Sequence, residues 1–136
     1  MASEELKFVT EQQVADIHEK LLARDGGLPG YRMGTSLSAV LERVRNHVLY
    51  DGENYNEARK TAALLTFAIT IGHPFNDANK RVALAVGIAM LLINGETALP
   101  DPAKLAELIV EAAAKRVDKD QFIEGYLELL KLSLSA

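Results

Sequence analysis

The chain has 136 residues, a length that fits one domain with a core of its own. Apolar residues make up 49% and charged residues 25%, and the net charge of −4 argues against broad, non-specific nucleic-acid binding. There is no cysteine, which excludes disulfides and thiolate metal sites and suits a reducing cytoplasm.

The opening Met1-Ala2-Ser3-Glu4-Glu5 is acidic and lacks the apolar core of a signal peptide. From Glu11 to Arg24 the residues Val14, Ile17, His18, Leu21 and Leu22 fall at helical spacing, with Thr10 as N-cap. Gly26-Gly27-Leu28-Pro29-Gly30 then breaks the chain. A second helix is expected from about Ser36 to Leu49, with Leu37, Val40, Leu41, Val44 and Val48 inward. The segment Tyr50 to Tyr55 reads as a polar loop or a short hairpin. A third helix, about Asn56 to Ile71, is apolar on most faces after Thr61, so it should be central, and Gly72 should cap its end.

From Ala78 to Ile93 the helical pattern resumes and is apolar all round until Asn94-Gly95. Its longest nearly uncharged stretch, Val82 to Ile93, is shorter than the ~20 residues that span a bilayer. Asp101-Pro102 reopens a helix with Leu105, Leu108, Ile109 and Ala112 on one face, and Asp118 caps a last one. The expectation is an all-α, compact bundle of about six helices, one domain over 1–136, with no strong strand and no membrane or direct nucleic-acid partner.

Between the two central apolar helices lies a polar run, His73-Pro74-Phe75-Asn76-Asp77-Ala78-Asn79-Lys80-Arg81. Such a run is costly unless its groups find partners or a ligand. The first N–H groups of the following helix have no intrahelical acceptor, and with the helix dipole they attract an anion. Lys80 and Arg81 in that first turn oppose the dipole, which makes sense with an anion in front of them. His73 can take a proton from a hydroxyl, and Asp77 can hold a hard divalent cation that shares phosphate oxygens. Phe75 should pin the loop to the core. Each residue alone is more often a turn, a cap or a solvated face. Joined, they form a phosphoryl- or nucleotidyl-transfer constellation.

At these residues the sequence resembles the Fic/Doc family, whose loop reads His-Pro-Phe-x-(Asp/Glu)-Gly-Asn-Gly-Arg. The match falls on His73, Pro74, Phe75, Asp77, Asn79 and Arg81, with Ala78 and Lys80 at the two glycines. Asn79-Lys80-Arg81, the Gly26–Gly30 segment after the first helix, the Asn94-Gly95 stop and the short length look like the death-on-curing (Doc) branch. Val82 stands where that branch commonly has threonine. The resemblance implies a Fic fold and a bacterial cytoplasmic toxin held by an antitoxin whose C-terminal segment folds on it. It implies a kinase that uses ATP and Mg²⁺ to phosphorylate a threonine of elongation factor Tu and so stops translation.

On that reading His73 is the general base, and Asp77 binds the metal or orients the reacting groups. Asn76, Asn79, Lys80 and Arg81 hold the nucleotide phosphates. A flap with Tyr50 and Tyr55 would align the target segment by main-chain pairing, a plain polar connection being equally compatible with those residues. Two alternatives stay open: an AMP transferase of the same fold, against which Lys80 argues, and a non-catalytic binding module. His47, near the end of the second helix, and His18, on the apolar side of the first, read as structural. The three histidines have no zinc spacing.

Overall fold

The computed structural model describes residues 6–51 and 57–135. Among them are six helices: α1 (Glu11–Asp25), α2 (Leu37–Tyr50), α3 (Ala58–Gly72), α4 (Asn79–Ile93), α5 (Pro102–Ala113) and α6 (Lys119–Ser135). The fold is all-α, and the one β feature among the described residues is an isolated antiparallel bridge between Tyr31 and Phe75. No described helix is long and apolar enough to cross a membrane.

Four of the helix starts follow capping residues, while α3 and α4 begin without a side-chain cap. Thr10 and Gln13 form a reciprocal capping box on α1. Ser36 caps α2 through the Ala39 N–H, and Asp101 caps α5 with Pro102 at the first position. Asp118 and Gln121 exchange the same reciprocal pair of bonds at the start of α6.

Helix α3 is the axis of the bundle. It packs against α4 most extensively and also against α6, α2 and α5. Its buried face includes Ala62, Ala63, Leu65 and Ile69, all without exposure. Three threonines lie buried among them, and each hydroxyl donates to the carbonyl four residues earlier: Thr61 to Glu57, Thr66 to Ala62 and Thr70 to Thr66. The hydroxyls are thereby satisfied inside an apolar interface.

The α3–α4 contact is close because α4 carries Gly87 at the crossing. A Cβ there would overlap the Thr66 hydroxyl and lie 3.0 Å from the Tyr126 hydroxyl. Gly87→Ala should therefore lower stability by about 3 kcal/mol, read by thermal or urea denaturation, with part of the loss recovered by adding Thr66→Ala.

The end of α3 differs from the sequence expectation. Gly72 is the last helical residue and not the cap. The left-handed residue is His73, with φ 46° and ψ 56°. Gly72 is small for a packing reason, since a Cβ would come 2.9 Å from Val40 Cγ2 on α2. The start of α4 has a second left-handed residue, Ala78 with φ 67°. The polar loop is thus bounded by two non-glycine residues in a conformation that costs about 1–2 kcal/mol each, so the surrounding contacts must hold it in place.

Candidate active site

The loop from His73 to Ala78 is held by contacts on both sides. Phe75 is 2% exposed and stacks on the His18 ring at 3.8 Å and on the Tyr31 ring at 5.3 Å. Its backbone N–H donates to Asn79 Oδ1 and its carbonyl accepts from Asn79 Nδ2, at 3.0 and 2.9 Å. Asn79 therefore spends both ends of its buried amide on the loop backbone. The group it leaves for an anion is its main-chain N–H.

The glycine-rich segment after α1 holds the loop from another side. The Arg32 N–H donates to the Pro74 carbonyl, and the Asn76 N–H donates to the Gly30 carbonyl, both at 3.0 Å. Asn76 Nδ2 donates to the Pro29 carbonyl at 2.9 Å. The Leu28 N–H donates to Asp77 Oδ2 at 3.1 Å. Gly27 lies so close that a Cβ would be 2.9 Å from that same oxygen. The sequence showed these glycines as a chain break, while the structure makes them a cradle for the motif. The legible signal was three glycines within five residues, and the structure gives all three a positive φ.

The motif itself lines an open polar cavity of about 410 Å³, formed by His73, Asn76, Asp77, Asn79, Lys80 and Arg81 with Ala78. A helix start faces it: the first intrahelical bond of α4 runs from the Val82 N–H to the Ala78 carbonyl, so the N–H groups of Asn79, Lys80 and Arg81 precede it. Lys80 is exposed. Arg81 is half-exposed and anchored from behind, with Nη1 3.4 Å from Asp25 Oδ2 and Nη2 3.4 Å from the Gly26 carbonyl. A separate cleft of about 240 Å³, between α2, α3 and the start of α6, is lined mainly by apolar groups such as Val40, Leu64 and Phe67, with His47 at its side. Arg43 and Lys119 also line it.

The charges suit acid–base and phosphate chemistry. Partial burial, helped by the nearby Arg32 and Lys80 cations, holds the His73 imidazole below its ordinary pKa of 6.5. The ring is therefore neutral near pH 7 and able to accept a proton. The N–H groups of Leu28 and Ala78 hold the Asp77 carboxyl below the usual carboxylate range, with the Arg81 charge adding to the effect. Asp77 is ionised at neutral pH. No cluster of three or more His, Cys, Asp or Glu side chains that could hold a metal occurs among the described residues. A single ionised carboxylate beside an anion site instead suits magnesium, which keeps waters and shares phosphate oxygens.

An NMR titration of the free protein should place the His73 midpoint below 6.5. Arg32→Gln should move it upward, because removing a positive neighbour makes the imidazolium less costly. A midpoint at or above 6.5, or one unmoved in the variant, would contradict this account.

The flap expectation rests on Tyr50 and Tyr55. Tyr50 is the last residue of α2 and is 94% exposed. Tyr55 lies outside the described residues. His18, expected to be structural, is buried and touches the loop directly.

The model of the Fic/DOC family matches residues 8–91, more than half of the chain, from the segment before α1 to near the end of α4. The chain belongs to the Fic/Doc family. The Fic/Doc match takes in the cavity and the glycine segment that holds its loop. The chain is also similar to the protein named protein kinase doc from Escherichia phage P1, with 32% identity over 112 residues, 82% of this chain and 86% of that protein.

Proposed function

We propose that this Fic/Doc protein is a kinase that transfers the γ-phosphate of ATP to a serine or threonine hydroxyl of a protein, elongation factor Tu by resemblance. The observation that carries the reading is one cavity that combines a neutral histidine, an ionised aspartate and the start of a helix bearing Lys80 and Arg81. The similarity to a protein kinase supports it.

In this mechanism His73 takes the proton of the target hydroxyl as its oxygen bonds to the γ-phosphorus, and the bond from that phosphorus to the β–γ bridging oxygen breaks to release ADP. The N–H groups of Asn79, Lys80 and Arg81, with the two basic side chains, hold the phosphate oxygens and oppose the charge that moves to the leaving group. Asp77 is the residue that would hold magnesium, which supplies further charge neutralisation when bound. Asn76 fixes the loop to the glycine segment.

Lys80 favours phosphate over AMP transfer. It stands where the resemblance has a glycine that lets AMP-transferring members bring the backbone close to the nucleotide. On the same reading the chain is a bacterial cytoplasmic toxin acting as a single domain, with an antitoxin as partner.

Intact-mass spectrometry of elongation factor Tu, incubated with this protein, ATP and magnesium, tests the reading. A gain of one phosphate is expected. A gain of one AMP would make the protein an AMP transferase, and an unchanged mass would remove this target.

A further inference from the structure

Asp77 is held at its carbonyl as well as at its carboxylate. Its carbonyl lies 3.1 Å from Nε2 of His18 on α1. A carbonyl only accepts, so Nε2 carries the proton and donates. The His18 ring is 6% exposed and lies nearly parallel to Phe75, with 11° between the planes. A leucine or phenylalanine would fill the same space against Phe75 without burying a polar ring. What they would not provide is a donor for Asp77. The Ala78 residue that follows is left-handed and caps α4, so the Asp77 carbonyl lies before the first residue of that helix.

From these contacts the geometry points to His18 as a positioning residue for the transfer reaction. Its bond orients the Asp77 peptide, and the Leu28 and Ala78 N–H groups then orient the carboxylate. Helix α1 and the glycine segment after it thus act as one clamp on one side chain. This inference rests on the proposed kinase reading for its rate effect and on geometry alone for its effect on Asp77.

The test uses the full chain with His18→Phe, which keeps a ring against Phe75 and removes the donor, and His18→Gln, whose amide nitrogen can take the place of Nε2. Two readouts are taken: the Leu28 amide proton shift, which reports its bond to the Asp77 carboxylate, and the kinetics of transfer at varied ATP and magnesium. His18→Phe should displace the Leu28 amide signal and lower kcat about tenfold or more, while KM for ATP, set mainly by the first turn of α4, changes less. His18→Gln should restore both, and thermal melts show that each variant is folded.

A Leu28 signal at its wild-type position in folded His18→Phe overturns the inference. So does a displaced signal with unchanged kcat, or a loss that follows melting temperature alone and that His18→Gln does not rescue. If His18→Phe does not fold, the Leu28 signal in His18→Gln decides: the wild-type position supports the donor role and displacement overturns it. If the wild-type protein transfers nothing, the kinase reading fails, and the Leu28 signal still decides whether His18 sets the Asp77 carboxylate.

Discussion

His73→Ala removes transfer by a factor of about 10²–10⁴, the usual contribution of a positioned general base, and leaves the fold in place. The side chain is half-buried at the end of α3 and lines the cavity. No other described histidine lines it. The substitution keeps a non-glycine residue at a φ of 46°, so the backbone cost is similar before and after. Stability should change by no more than ~1 kcal/mol, within the range of substitutions away from a packed core. His73→Asn, better tolerated in the left-handed region, serves as a second test of the same loss. Activity assayed beside a thermal melt separates the effects. Transfer at the wild-type rate in a folded His73→Ala protein would remove the base from the mechanism.

Gly27→Ala should lower both transfer and stability, and it acts from outside the motif. At φ +132° an alanine is strained, and its Cβ would lie 2.7 Å from Leu22 Cδ2 and 2.9 Å from Asp77 Oδ2. The leucine end can turn aside. The carboxylate oxygen can yield only by loosening its bond from the Leu28 N–H. The expected result is a loss of about 2 kcal/mol in stability together with at least a tenfold fall in transfer. Gly26→Ala is the control. Its φ is +79°, but a Cβ there meets nothing within 4 Å. It should cost ~1 kcal/mol and leave turnover of the folded protein unchanged. Equal effects on turnover from both substitutions would show that the close approach to Asp77 does not matter.

These two sites differ in how they could be read from the sequence. His73 and its neighbours lie within nine residues, so spacing alone brought base, anion site and cations together. The helices were readable for a similar reason. Capping residues such as Thr10, Asp101 and Asp118 act within three residues, and the apolar periodicity of α3 and α4 is continuous. Residues that act across long separations were not readable. His18 is 59 positions from Asp77, and Leu28 is 49. Nothing in local pattern says which carbonyl a buried histidine will meet.

Gly72 was misjudged for the same reason. Gly72 looked like a helix cap, but its size is set by Val40 from α2, and the left-handed position falls on His73. Asn79 has the residue type of a phosphate ligand, yet its amide closes on Phe75, four residues back, because burial leaves it no other partner. The motif told which residues gather. Only the packing of α1 and the glycine segment against it told which atoms each one has left to use.

The central claim is that this loop directs the γ-phosphate, and no other part of ATP, to a protein hydroxyl. Label transfer tests it most directly. The protein and its His73→Ala variant are incubated with a bacterial extract, magnesium and ATP labelled at either the α- or the γ-phosphate, and labelled proteins are separated by gel. The account predicts a protein band carrying γ-label that depends on His73, with no corresponding α-label. A His73-dependent band carrying α-label, or no His73-dependent label at all, would contradict it.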